Sequence, residues 1–157
     1  MAVAYGVQEF LRRANVPYAV YPHETAYTAL ADAAVMNVAD RNWAKVVVCF
    51  ADNRPIQAVI PANCGVDLDL LQAITGAKSI RLAHEDELRW LFPECELGAM
   101  PPFGAMYRQH VYVDERLARE EEIIFNGGTH HDAVAMQYRH FERLANPTVG
   151  RFAHRIV

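Results

Sequence analysis

Val7, Phe10, Leu11 and Ala14 recur at the spacing of one helix face, which predicts an amphipathic helix over Tyr5 to Ala14, ended by Asn15 and Pro17. A short strand follows at Tyr18 to Tyr21. Thr28 has the side chain to cap a second helix reaching Val35 and Met36, and Asp40 to Asn42 return the chain to a sheet. The unbroken Val46-Val47-Val48 inside Trp43 to Phe50 is strand-like. The turn residues Asp52-Asn53-Arg54-Pro55 and the apolar run Ile56 to Ile60 complete a hairpin expected at the sheet centre. Asp67 caps a helix whose Leu68, Leu71 and Ile74 face inward and whose end is marked by Gly76.

Beyond it the pattern gives a strand at Ser79 to Leu82, a helix from Glu85 to Phe92 stopped by Pro93, and a loop over Glu94 to Gly104. Strands are expected at Met106 to Val113, Glu122 to Phe125 and Asp132 to Gln137, then a helix over Arg139 to Ala145. Strands and helices mix without a strict βαβ rhythm. The expected class is therefore α+β, with a mixed central sheet and surrounding helices.

The length, 157 residues, fits one domain with one core, taken as residues 1–157. An apolar fraction of 52% with 22% charged residues argues against disorder, and no internal repeat is seen. No apolar run approaches the roughly 20 residues of a bilayer span, and Met1 to Arg13 carries charge where a signal peptide is apolar, so a cytoplasmic protein with no membrane partner is expected. Cys49, Cys64 and Cys95 are widely spaced and form no CxxC, the pattern of reduced, structural thiols. A net charge of −4 excludes nonspecific coating of DNA or RNA, which needs many neutralised phosphates. All but two of the 15 basic residues are arginines, which draws attention to Lys45 and Lys78.

Lys45 shares a strand face with Trp43, Val47 and Cys49 in a strand apolar on both sides. Burying an ammonium unpaired costs several kcal/mol. The side chain must snorkel to solvent, find a partner, or line a cleft where it holds an anionic or carbonyl group. Gly98-Ala99-Met100-Pro101-Pro102-Phe103-Gly104 is stiffened by two prolines and freed at its ends by glycines, so it is either an ordinary turn or a rigid loop offering backbone groups to a ligand. In Asn126-Gly127-Gly128-Thr129-His130-His131-Asp132 the glycines permit close backbone approach, and two histidines follow. Adjacent strand residues face opposite ways, so the pair is a poor metal site. One histidine lining a pocket while the other faces solvent fits better, and two surface histidines remain an alternative. No GxSxG elbow, Cys–His pair or phosphate-binding glycine motif occurs, so covalent catalysis is disfavoured.

The order of these features, a strand lysine, a GxxPPFG loop and a GGTHH segment leading into a strand and a terminal helix, resembles the YbaK/prolyl-tRNA synthetase editing-domain family across nearly the whole chain. The resemblance implies a mixed α/β fold and a deacylase that hydrolyses mischarged tRNA, often tRNA for proline bearing a smaller amino acid, with no cofactor and no metal. Its partner is the acceptor end of aminoacyl-tRNA. Carried over by position, Lys45, Gly98 and His130 are the catalytic candidates. Pro101, Pro102, Gly128 and Thr129 are substrate-binding candidates from the two loops, and Thr28 and Met36 match the lining of the amino-acid pocket. Members lack a protein nucleophile, so water attacks the aminoacyl ester with help from loop backbone groups and a hydroxyl of the terminal ribose. Relatives dedicated to alanyl-tRNA for proline tend to carry Asn after the lysine, where this chain has Val46. Two other readings stand beside this one: a non-catalytic module of the same fold that binds aminoacyl-tRNA or a small molecule, and a metal-dependent hydrolase using His110, His130 and His140.

Overall fold

Asp52 and Asn53 both adopt left-handed backbone, with φ of 48° and 66°. Two consecutive residues of that kind make the tight turn whose twist suits a hairpin. They join β2 (Ala44–Ala51) to β3 (Arg54–Pro61) in an antiparallel pair running from Ala44 opposite Pro61 to Ala51 opposite Arg54. This computed structural model describes residues 4–156, so the first three residues of the charged stretch read from Met1 lie outside the described residues. The Asp52 carboxylate also receives the N–H groups of Lys78 and Ser79, fastening β5 (Ile80–Leu82) beside β2.

The hairpin is the middle of a five-stranded sheet ordered β5-β2-β3-β6-β9, where β6 is His110–Asp114 and β9 is Thr148–Gly150. Its first three strands are antiparallel, and β6 and β9 run parallel to β3 and to each other, so the sheet is mixed as expected. A second antiparallel sheet contains β1 (Ala19–Pro22), β8 (Asp132–Gln137) and β7 (Glu122–Asn126), in that order. A bridge between Trp43 and Ile124 links the two. The alternation of β2 and β3 supplies two cores. On one face Ala44, Val59, Val111 and Val113 meet Phe125 and Val134 of the second sheet, Val7 and Leu11 of helix α1 (Tyr5–Ala14), and Phe141 of α6 (Tyr138–Ala145). On the other, Cys49, Ile56, Ala58 and Ile60 pack against Leu71 of α3 (Leu68–Thr75) and against Phe152. Truncating a wholly buried ring such as Phe141 to alanine costs about 3–5 kcal/mol, so these faces fix the register.

The expected caps hold: Thr28 Oγ1 accepts from Ala31 N at the start of α2 (Ala29–Val35), Asp67 Oδ1 accepts from Leu70 N, and Gly76 ends α3 at φ 73°. The strand expected from Met106 begins instead at His110. Gly104–Tyr107 coil into a 3₁₀ turn, and Arg108 at φ 57° re-aims the chain with Gln109 N on Gly104 O. An alanine at Gly104 would drive its Cβ into the Gln109 carbonyl, so this turn requires glycine. Four elements went unforeseen: β4 (Cys64–Val66), α5 (Glu115–Ala118), β9 and β10 (Ala153–Arg155). Buried Asp114 organises that end by accepting Arg116 N on one carboxylate oxygen and Phe152 N and Ala153 N on the other. Among the described residues no helix is long and apolar enough to cross a membrane.

Candidate active site

Two loops meet at one end of the second sheet and fasten to each other. Glu96 N donates to Gly128 O at 2.8 Å and Gly128 N donates to Ala99 O at 2.9 Å, so the Gly98 loop and the Gly127-Gly128 segment are zipped backbone to backbone. The approach needs glycine at 128: its φ is 98°, and a Cβ there would stand 2.7 Å from the Ala4 side chain. Glu96 then reaches over to accept the His130 N–H at 2.7 Å, and the His130 ring meets the Leu97 carbonyl through Nε2. A carbonyl can only accept, so Nε2 carries the proton and Nδ1 of a neutral ring is the acceptor nitrogen. That Nδ1 is buried with no partner among the described residues. The same ring lies against Gly98, whose φ is 86°; a Cβ there would touch His130 Cε1 at 3.4 Å.

Beside this brace lies a cavity of about 100 Å³ lined by Ala29, Asp32, Trp43, Ala44, Lys45, Val46, Gly98, Met100 and Asn126. Water occupies about 30 Å³ per molecule in the liquid, so the space is that of a small side chain rather than a large one. Lys45 is half-buried. Its Nζ makes one long contact to the Ala62 carbonyl, 3.4 Å, and no carboxylate pairs with it among the described residues. Burial lowers the pKa of its ammonium, with the neighbouring Cys64 acting the other way. Asp32 on α2 is buried at 1% exposure, and its Oδ2 accepts from Asn126 Nδ2 at 2.8 Å. Burial raises its carboxyl pKa against the lowering effect of Asn126, His23 and His130. The thiols offer no nucleophile, since burial pushes both Cys49 and Cys95 up to about 11.

The structure therefore brings Lys45 and Gly98 to one cavity and sets His130 directly behind Gly98. His130 is buried, whereas the side chain of His131 is 44% exposed, lying 3.4 Å from Asp132. Pro101 and Pro102 are buried under the loop, and the Pro101 carbonyl accepts from Gln57 Nε2 at 3.4 Å. Gly128 serves as the fastener, and Thr129 Oγ1 donates to Asp132 Oδ2 at 3.1 Å. Thr28 and Met36 sit at the two ends of α2, and the residues of that helix that line the cavity are Ala29 and Asp32. His110, by contrast, bonds Thr148 Oγ1 at 2.8 Å on the far sheet, and His140 is on α6; among the described residues no cluster of three ligands suits a metal ion. Two polar residues of the cavity, Asp32 and Asn126, are not among the candidates read from the sequence. Asp32 carries one faint signal, an acid one turn along from Ala29 and next to Ala33 on the apolar side of a short helix.

Residues 23–144, most of the chain, match the family described as aminoacyl-tRNA editing domain. The chain belongs to that family. Among solved structures, the hypothetical protein APE2540 shares the fold of this editing domain with a TM-score of 0.86 at 17% identity, over 95% of this chain and 99% of that one. A proposed trans-editing enzyme for prolyl tRNA synthetase matches with a TM-score of 0.82 at 21% identity, over 95% of each chain. A proposed signal transduction protein from Marinobacter aquaeolei VT8 contains the fold as 30% of its length, with a TM-score of 0.74 at 17% identity over 94% of this chain. At such identities the likeness is one of fold. No curated protein matches the editing domain.

Proposed function

We propose that the chain is an aminoacyl-tRNA deacylase that works in trans in the cytoplasm, as a single editing domain over residues 1–157, on tRNA for proline mischarged with a small amino acid such as alanine or cysteine. One observation carries the reading: a cavity of about 100 Å³ in a member of this family joins a half-buried lysine that has no carboxylate partner among the described residues to the glycine loop that the second loop holds rigid. An ammonium kept there without an anion is costly, and a phosphate or ester oxygen of a bound acceptor end repays that cost. Lys45 then holds the terminal nucleotide, and Gly98 and Met100 present backbone to the aminoacyl end. His130 keeps that loop in place through Leu97, as a positioning residue.

Water attacks the ester carbon, the bond from that carbon to the ribose oxygen breaks, the ribose oxygen takes one of the water's protons, the other is released to solvent, and the amino acid leaves as its carboxylate. Preorganised donors of this kind contribute about 10²–10³ in rate when one is removed. A cavity of this size admits several small aminoacyl groups, because one methylene is worth only about 1–3 kcal/mol. Recognition rests on few charges, so binding weakens as salt rises.

Deacylation of tRNAs charged with alanine, serine, cysteine and proline, including mischarged tRNA for proline, tests the proposal. Turnover of a mischarged species that is lost in Lys45→Ala is the expected result. Absence of turnover across the whole panel would remove the hydrolase and leave a binding module of the same fold.

A further inference from the structure

Asp32 and Asn126 share one hydrogen bond, and it leaves half of each group unused. Asp32 Oδ2 takes Asn126 Nδ2, while Asp32 Oδ1 and Asn126 Oδ1 are both buried and have no partner among the described residues. A buried acceptor without a donor loses its hydration with nothing in return, so unmatched acceptors are rare and each calls for a cause. Two of them belong to residues that line the same small cavity, which puts unmatched acceptors in its wall. Lys45, the lysine of the same cavity, does not fill it, since its Nζ makes a long contact of 3.4 Å to the Ala62 carbonyl and forms no ion pair with Asp32.

We infer that Asp32 and Asn126 form a subsite for the α-ammonium of the amino acid carried by the tRNA. The inference rests on the editing reading above and deepens it. A primary ammonium offers three N–H donors and a positive charge. Asp32 supplies the opposite charge and both residues supply the oxygens. The same cavity also carries a group of the complementary polarity, because Lys45 lines it as a cation. An α-aminoacyl ester carries its ammonium one carbon away from the carbonyl, so the two poles together set the direction in which the substrate lies. The arrangement also selects by chemistry: an ester whose amino group is acylated, as in a peptidyl-tRNA, has no ammonium and brings an amide into a carboxylate-lined space. The subsite thus spares N-acylated esters while admitting free aminoacyl groups.

The test uses three probes built on 3′-amino-3′-deoxyadenosine joined by a stable amide to alanine, to N-acetylalanine, or to propionic acid, titrated calorimetrically into the full chain. The propionyl probe has nearly the size of the alanyl one and lacks only the ammonium. The alanyl probe is expected to bind about 10- to 100-fold more tightly than either of the others, the range of a charge-assisted hydrogen bond. In Asp32→Asn, with thermal unfolding confirming a folded chain, the three affinities are expected to converge. Equal binding of alanyl and propionyl probes to the parent protein would overturn the subsite, as would no binding of the alanyl probe, or a preference that survives Asp32→Asn. The parent comparison needs no variant, so it stands even if the substitution prevents folding. Because the probes cannot be hydrolysed, turnover of alanyl-tRNA without an amine preference would discard the subsite and keep the deacylase. An amine preference without turnover would do the reverse.

Discussion

The two loops at the cavity and the cavity itself obey opposite rules. In the brace, polar groups are matched across the gap: Glu96 with Gly128 and His130, Gly128 with Ala99, His130 with Leu97. In the cavity, among the described residues, Asp32 Oδ1 and Asn126 Oδ1 are unmatched, His130 Nδ1 behind Gly98 is unmatched too, and Lys45 has only a distant carbonyl. Matched groups add about 0.5–1.5 kcal/mol each to stability, whereas unmatched buried ones subtract. The brace is where this fold holds itself together, and the cavity is where it accepts a cost.

If that division is right, substitutions on the two sides should fail in different ways. The largest effect is expected at Lys45. Lys45→Ala should reduce deacylation by about 10²–10³ while leaving the melting temperature at or above that of the parent, because burial already disfavours the ammonium. Single-turnover deacylation beside a thermal melt checks both halves, and a variant with parental activity sinks the assignment.

Gly128→Ala attacks the brace instead. Left-handed backbone costs a non-glycine residue about 1–2 kcal/mol, and the new Cβ meets the Ala4 side chain at 2.7 Å, so something must shift. The expected loss is about 2–3 kcal/mol, seen as a melting point lower by roughly 5–10 °C for a chain of this size. A melt unchanged within one degree contradicts the bracing role.

The same division explains what the sequence made legible. The hairpin could be read because the Val46-Val47-Val48 run and the Asp52-Asn53 turn are local signals, and the caps at Thr28 and Asp67 likewise act within three residues. Lys45 stood out by contrast, one of two lysines and set in an apolar strand. Asp32 did not, because an acid in an alanine-rich helix normally faces water; its hydrogen-bond partner, Asn126, is 94 residues away. β4, α5, β9 and β10 span three or four residues, about one turn of helix or less than two strand periods, so they give no pattern. Asp114 nonetheless holds the segment at Phe152 and Ala153, which is a tertiary fact. The strand start at His110 was hidden by a turn whose need for glycine at 104 arises from the Gln109 carbonyl rather than from its neighbours in the pattern.

His130 belongs to both sides, which makes it the sharper probe of the boundary. One ring nitrogen meets Leu97, and the other has no partner among the described residues. His130→Ala removes the ring behind Gly98 and leaves the Leu97 carbonyl without its donor, so a loss of about 1–3 kcal/mol and a fall in kcat are expected together. If the residue acts by positioning the loop, kcat falls while the binding of the alanyl probe changes less than it does in Asp32→Asn. A loss of activity with no loss of stability would place His130 among the reacting groups instead.

The smallest effect concerns the pH dependence of Asp32. Burial holds its carboxyl above the ordinary range, opposed by the Asn126 amide and by the charges of His23 and His130. An acid whose pKa is higher folded than unfolded binds more protons in the folded state between the two values, so stability falls as pH rises through that window and the penalty persists in full above it. Asp32→Asn has no carboxyl to ionise. It should therefore melt slightly above the parent at pH 7, with the gap closing as pH falls to about 4 and below, where the carboxyl is protonated in both states. Melts of both proteins from pH 7 to pH 4 check this, and a gap that is constant or widens on acidification contradicts it. A substitution that stabilises the fold at neutral pH while weakening the alanyl probe would put Asp32 on the side of the cavity, since a residue retained for the brace alone would lose stability when its charge is removed.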